Sequence, residues 1–370
     1  MIEARNRVVE VRRFGGPDGL KVVDAPLPMA GPGEVRVRMF ASGLEYTDTL
    51  IRRHLYPQTA SRRPPFVMGY DVVGEIDQLG DGVSGFQLGD RVADMTVLGS
   101  NAVYRTLRAN QLTRVPAGVD AAEAATLILS WMTAYQLLHR AARVQRGQRV
   151  LVHGAAGAVG QALLVLGNMA GLQLWGAARE THAGLVREFG ATPIDYQHKD
   201  FTHFLPGGFD VVFDGIGEDG YRRSFAALSH GGLLCAYGYS AGVQDQQRML
   251  TMLMWIARLY LWRWLPGGRR PASIQSTRCG CNILRGSGRT WSACSRCWPM
   301  APSTPASQSG SHWMRLPRRT AVSKLAALRA SSCCARITSR GVTSVLLDDD
   351  ACVEDLRIDA QIAPQQPRGE

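Results

Sequence analysis

Three glycines, at positions 154, 157 and 160, follow directly on the apolar run Val150–Val152 in the stretch VLVHGAAGAVG. Such a β-branched run suits a buried parallel strand, and the glycines permit a tight turn from it into a helix. The helix start made in this way carries backbone amides without intrahelical acceptors, near Ala158, Val159 and Gly160, and the positive end of the helix dipole. A pyrophosphate is the group those features fit. The spacing is that of the dinucleotide fingerprint with Ala155 in place of its first glycine, so Ala156, Gly157, Ala158, Val159 and Gly160 form the expected phosphate cradle. Glycine patterns this short recur by chance, and the surrounding elements must decide.

Those elements agree. Residues Gln161–Met169 read as a helix and Leu172–Ala178 as a second strand. At the end of that strand, where an acid would hold the ribose 2′-hydroxyl of NAD, the chain has Arg179 and then Glu180. Arg179 suits a 2′-phosphate and favours NADPH; Glu180 is the residue that would instead serve NADH, and a solvated capping role is the plain alternative for Arg179. Further on, FDVVF at 209–213 reads as a strand, 221–228 as a helix and 233–237 as another strand. Strands alternating with helices imply a doubly wound parallel sheet.

The first part of the chain has a different texture. In VVEVRRF, LKVVDAPLP and GEVRVRMF polar and apolar residues alternate between turns such as GPDG and AGPGE, which is the pattern of antiparallel β-structure. Residues 1–122 are therefore expected to form a β-rich domain and 123–270 a nucleotide-binding domain, and a length of 370 residues suffices for two cores. The first residues show no secretory signal and there is no apolar run of spanning length, from which a cytoplasmic location is expected.

Residues 8–270 resemble the medium-chain dehydrogenase/reductase superfamily, in its zinc-independent quinone oxidoreductase branch. The resemblance rests on GLEYTDTLIRRHLYP at 43–57, PFVMGYDVVGEI at 65–76, VPAGVDAAEAATLILSWMTAYQLL at 115–138 and VLVHGAAGAVGQA at 150–162, with ATPIDY and FDVVFDGIG continuing it. It implies an α/β protein: a GroES-like β-rich domain, then a Rossmann domain, with the active site in the cleft between them. It further implies hydride transfer from NADPH to a quinone or activated enone. Where zinc alcohol dehydrogenases of the superfamily carry a Cys ligand this chain has Glu45, and Tyr70–Asp71 replaces their His–Glu pair. Residues 80–115 contain no Cys for a structural zinc site, so no metal is expected. The resemblance places Tyr46 and Tyr56 at the cleft, where a phenol would meet the developing charge on a substrate carbonyl, and Glu45 beside them. It also places Thr133, Tyr196 and Gly238 along the cofactor. Half-buried aromatics with satisfied hydroxyls are the plain alternative for both tyrosines, and an i, i+4 helical pair for Asp48 and Arg52.

Two features lie outside that scheme. The run MLTMLMWIARLYLWRWL at 249–265 is apolar with two Arg, and three readings of it stay open: a roof over the substrate cleft, a dimer contact, or peripheral membrane contact. Beyond Arg270 the composition changes: residues 271–340 hold eleven Lys and Arg, six of the eight Cys and no acid. That excess equals the net charge of +11, so the remainder is balanced and the basic pI does not argue for nucleic acid. The CxC, CxxC and CC spacings lack matching His and do not read as a metal or disulfide site. Joining the third base of each codon to the first two of the next forces Ala at Trp298–Pro299, Gly at Met300–Ala301 and Asp at Trp313–Met314, and elsewhere permits an amphipathic, acid-containing text. Residues 271–370 thus read as an out-of-frame tail from a one-base slip near codon 270. They are expected to be largely irregular and to impair the homodimer common in the superfamily. A catalytically impaired nucleotide-binding or membrane-associated non-enzyme relative is the alternative class, and a zinc-type alcohol dehydrogenase the distant third.

Overall fold

Alternation of apolar and charged residues in GEVRVRMF places Val35, Val37 and Met39 on one buried face, with arginines between them. In the computed structural model this segment lies in the long strand β3 (Glu34–Leu44), which follows β1 (Arg5–Val11) and β2 (Leu20–Pro26). Then come α1 (Tyr46–Arg52), β4 (Phe66–Val67), β5 (Asp71–Leu79), β6 (Arg91–Met95), β7 (Tyr104–Arg108) and β8 (Thr113–Arg114). The structure describes residues 5–197, 201, 204–217, 219, 221–238, 254, 257–262, 264 and 268–273, and the backbone of two later strands. Strands β1, β2 and β4 form one small antiparallel sheet; β3, β5, β6 and β8 form the main one, with β7 also on β3.

A helical stretch leads into the second half. Asp120 caps it by accepting from the amides of Ala122 and Glu123. It runs through α2 (Ala121–Thr126) and α3 (Met132–Gln136) with wider π-type turns at Leu127–Trp131 and Leu137–Ala142, and ends where Arg143 turns left-handed at φ 52°. Ile128, Trp131, Met132 and Leu138 of this stretch share one buried core with Ile51 and Tyr70 from the first half and Val150 and Ala155 from the second.

The second half is a parallel sheet in the order β11 (Thr192–Asp195), β10 (Gln173–Ala178), β9 (Arg149–His153), β12 (Phe209–Asp214), β13 (Leu228–Ala236), β14 (Arg270–Ser273). Val150, Leu151 and Val152 are fully buried because helices cover both faces of such a sheet. The helices α4 (Ala158–Met169), α5 (Ala183–Glu188) and α6 (Arg222–Ala226) connect its strands. The chain order reverses between β9 and β12, and ligands of open α/β sheets bind at the carboxyl ends of strands at such a switch point. The architecture is the expected α/β one, with α4 starting at Ala158 rather than Gln161 and α6 shorter than the helix expected at 221–228.

Within the tail, β15 (Cys333–Thr338) pairs with β3 at residues 41–44 and with β16 (Gly341–Val345). These two short strands and residues 271–273 of β14 are the described exceptions to the expected irregularity; most of 271–370 lies outside the described residues.

Candidate active site

The turn after β9 is built by glycine and closed by backbone bonds. Gly154 has φ +83°, and the amides of Gly154 and Ala155 both donate to the Ala177 carbonyl at 3.1 Å. Gly157, extended at φ −74° and ψ 165°, is the N-cap of α4 and donates to the Gly154 carbonyl at 3.1 Å. The first intrahelical bond runs from the Gln161 amide to the Gly157 carbonyl at 2.8 Å, which leaves Ala158, Val159 and Gly160 as the first-turn donors. A Cβ on Gly160 would lie 2.2 Å from the Gly154 carbonyl oxygen, so only glycine lets helix and turn approach this closely. Gly176 in β10 serves the same packing from the other side, since its Cβ would lie 2.9 Å from that of Ala155. The Gln161 side chain donates to the Ala156 carbonyl at 2.7 Å and holds the far side of the cradle.

Arg179 and Glu180, both exposed, follow β10 immediately, and β10 lies beside β9 in parallel register. This is the position from which a side chain meets the ribose end of a dinucleotide. Tyr196 follows β11 and Gly238 follows β13, at the same edge of the sheet. The Gly238 carbonyl accepts from the Tyr221 hydroxyl at 2.7 Å, and a Cβ there would lie 2.7 Å from the Gly215 carbonyl oxygen. Thr133 lies in α3, which packs on α4.

At the switch point itself His153 and Asp214 are register partners, with Nδ1 at 3.5 Å from a carboxylate oxygen. Asp214 is buried and accepts from the Ile216 amide at 2.8 Å, the Gly217 amide at 3.0 Å and the Ser224 hydroxyl at 2.6 Å. Burial pushes its pKa up, but the bonds from His153, Ser224 and Gly217 outweigh burial and hold it below the usual carboxylate value. The Tyr196 ring stands edge-on to His153 at 5.6 Å.

The second cluster belongs to the β-rich half. Glu45 precedes α1, and its amide donates to the Asp48 carboxylate at 2.8 Å. The Ser130 hydroxyl, from the linking helix, lies 3.4 Å from each Glu45 carboxylate oxygen. Asp71 opens β5 fully buried, and a Cβ on Gly43 would lie 2.3 Å from its Oδ2 and 3.6 Å from Glu45 Oε1. Gly43 is thus the gap into which both carboxylates fit. Burial, then the charges of Glu45 and Asp48, push the Asp71 pKa well up, and the Leu129 backbone opposes this only in part. Burial likewise pushes Asp48 up to about 7 against the bond from the Glu45 amide. Burial favours the neutral form of both acids, and at Asp71 the neighbouring acids add to it.

Two phenols stand beside these acids. The Tyr70 hydroxyl donates to the Tyr56 hydroxyl at 2.5 Å, and the rings meet edge to face at 6.1 Å. Tyr70 is 3 % exposed, whereas Tyr56 is half-buried and Tyr46 is 46 % exposed. Burial raises the pKa of both members of the pair, and the bond from Tyr70 lowers that of Tyr56 against this rise. Asp48 and Arg52, an i, i+4 pair in sequence, are both buried, and Arg52 Nη1 reaches across to the Gly15 carbonyl at 2.5 Å.

The structure thus brings Glu45 to Ser130 and Tyr56 to Tyr70, and gathers the fingerprint turn, Arg179, Tyr196 and Gly238 along the carboxyl edge of the parallel sheet. Sequence reasoning used Tyr70 only as a failed zinc ligand and passed over Ser130, His153 and Asp214. The signal for His153 and Asp214 was available, since each ends an apolar strand beside the switch point. Nothing local marked Ser130. Among the described residues no three His, Cys, Asp or Glu side chains are grouped to hold a metal. Of the apolar run at 249–265, Leu259 is buried in the nucleotide-domain core and Trp262 stacks on Phe225 at 4.4 Å. Met254, Tyr260, Leu261 and Trp264 are exposed, and residues 249–253, 255–256, 263 and 265 lie outside the described residues. No helix among the described residues is long and apolar enough to cross a membrane.

Residues 31–126 match the alcohol dehydrogenase GroES-like domain family. The 2-haloacrylate reductase of a Burkholderia species is 32% identical over 270 residues, which span 69% of this chain and 81% of the relative. This chain belongs to the medium-chain dehydrogenase/reductase superfamily. The quinone oxidoreductase of Pseudomonas aeruginosa is 33% identical, over 63% of this chain and 74% of the relative. Among solved structures, a quinone oxidoreductase from Pseudomonas syringae pv. Tomato matches with a TM-score of 0.67 at 26% identity, covering 79% of this chain and 87% of that one. A mycobacterial protein solved in complex with NADPH matches with a TM-score of 0.64 at 25% identity, covering 88% and 97%. The chain is an oxidoreductase of this superfamily, as its motifs implied.

Proposed function

We propose that the protein is an NADPH-dependent reductase of quinones and activated enones that works without zinc. The observation that carries this reading is the conjunction of a dinucleotide cradle, built on Gly160, with a cluster of a phenol pair and buried acids whose surroundings favour the neutral form. The names of its relatives, quinone oxidoreductase and 2-haloacrylate reductase, support an acceptor that is already electron-poor.

The residues present fit the dinucleotide. The amides of Ala158, Val159 and Gly160 would hold its pyrophosphate, Arg179 its 2′-phosphate, and Thr133, Tyr196 and Gly238 would line it. When bound, it supplies a hydride. The chain's own task is then to orient the acceptor and to meet the negative charge that appears on its oxygen. Tyr56 donates its O–H to that oxygen, Tyr46 flanks the acceptor at the open side, and Glu45, held by Ser130, closes the inner wall. The donor set does not fit zinc: Tyr70 is bonded to Tyr56, and the surroundings of Asp71 disfavour the charged form a cation needs.

The experiment is NADPH oxidation by the full chain with a simple quinone, and separately with an α,β-unsaturated carbonyl compound. Turnover that survives a chelator supports the reading. NADPH binding with no turnover of either acceptor would replace it with a nucleotide-binding role.

A further inference from the structure

Tyr70 stands where the zinc enzymes of this superfamily carry a ligand, yet its hydroxyl is spent on one bond, to Tyr56. The geometry gives the pair a direction. Tyr70 is 3 % exposed and donates; Tyr56 is half-buried, accepts, and keeps its own O–H for something else. A phenol that accepts a hydrogen bond is the better acid of a pair, because the same bond strengthens when the acceptor becomes a phenolate. The groups facing the pair are Asp48 and Asp71, both buried, with Glu45 behind Asp71. Burial and the neighbouring Asp48 oppose proton loss from Tyr56, and the bond donated by Tyr70 works against both.

We propose that Tyr70 is a positioning residue that holds the Tyr56 hydroxyl outward and stabilises the Tyr56 phenolate formed as Tyr56 protonates the reduced acceptor. The inference rests on the reading of the site as a reductase of quinones and enones. In the step, two electrons arrive with the hydride at an acceptor carbon, and the carbonyl π pair moves onto oxygen. The Tyr56 O–H bond breaks, the acceptor O–H bond forms, and the phenolate keeps the O–H pair. Tyr70 holds that phenolate by its donated bond until solvent returns the proton through the open side of Tyr56.

The test uses the full chain without cofactor and 4-nitrophenolate as an oxyanion probe that Tyr56 would bind by donation. Tyr70→Phe is expected to weaken probe binding by about 2- to 10-fold, the size of one hydrogen bond between neutral groups. Tyr56→Phe should weaken it at least as much, and the double variant no further than Tyr56→Phe alone. In turnover, Tyr70→Phe should lower kcat by a similar factor, leave KM for NADPH unchanged and raise the solvent isotope effect. Tyr70→Gln, which retains a donor, should restore part of both. Should Tyr70→Phe not fold, Tyr70→Met removes the donor in its place. Additive losses from Tyr56 and Tyr70, or probe binding unchanged in the Tyr70 variants, would overturn the inference even in a chain that reduces quinones. Coupled losses in probe binding without turnover would leave the role of Tyr70 standing and overturn the proposed reaction instead.

Discussion

Gly160→Ala should damage cofactor binding more than it damages the fold. The added Cβ would lie 2.2 Å from the Gly154 carbonyl oxygen and 2.8 Å from the Ala155 Cα, both backbone atoms that cannot rotate away. Ordinary contact begins near ~3.5 Å, so the start of α4 and the turn must separate by about 1 Å. Overpacking of this kind costs ~1–3 kcal/mol of stability, or a fall in Tm of several degrees at roughly 2–4 °C per kcal/mol. The same movement shifts the Ala158, Val159 and Gly160 amides off the pyrophosphate. Losing even one charge-assisted hydrogen bond, ~1.5–3 kcal/mol, raises the Kd for NADPH by roughly 10- to 100-fold. Gly184→Ala is the control: that glycine lies in α5 with nothing within 4 Å of the added Cβ, and the change should stabilise by ~0.5–1 kcal/mol. Calorimetric titration with NADPH and a thermal melt check both. A Gly160→Ala chain whose Kd stays within about twofold would refute the helix-end account of the site.

Arg179→Ala should weaken NADPH by ~10-fold or more and leave NADH nearly unchanged, read by titrating both cofactors; equal losses would point to a general effect on the fold. Asp214→Ala leaves the Ile216 and Gly217 amides and the Ser224 hydroxyl without their acceptor, and should cost ~3–5 kcal/mol in denaturant unfolding. Because the Asp214 pKa is held below its unfolded value, its contribution is present above about pH 4 and is lost as pH falls through the folded value. Asp48 has the opposite sign: pushed up to about 7, it adds stability that is full below its unfolded pKa and is lost as pH rises through about 7. Asp48→Asn, which mimics the neutral acid, should flatten that loss and melt no lower than the parent at pH 8, as a series of melts across ~pH 5–8 would show. Reading the gene on both strands across codons 260–345 is expected to restore one base near codon 270; an unbroken match to the present text would refute the frame argument.

The parallel sheet and its cradle were legible in the chain because their causes are local. An apolar run, three glycines at fixed offsets and a helical pattern act over eleven residues, and the strand, turn and helix formed as that spacing requires. The alternation in β3 was legible for the same reason, since a half-buried strand writes its two faces into its sequence. Gly160 was legible as a glycine, but the carbonyl it must avoid became visible only with the turn closed.

The acid and phenol cluster was not legible, because its members lie far apart in sequence and their chemistry depends on what surrounds them. Tyr56 meets Tyr70 across the break between α1 and β5, Glu45 meets Ser130 from the linking helix, and Asp71 is pushed up by burial and by Glu45 and Asp48, packed where Gly43 leaves room. Register decided that His153 faces Asp214. The attachment of Cys333–Thr338 to β3 at residues 41–44 likewise came from an available strand edge rather than from any period in the tail, because backbone pairing needs donors and acceptors in line and not a particular side-chain pattern. By itself the sequence determined the dinucleotide fold and its phosphate cradle. Tertiary structure alone decided which acids are pushed towards their neutral form and which phenol holds the other, since pKa and hydrogen-bond direction are properties of an environment assembled from distant segments.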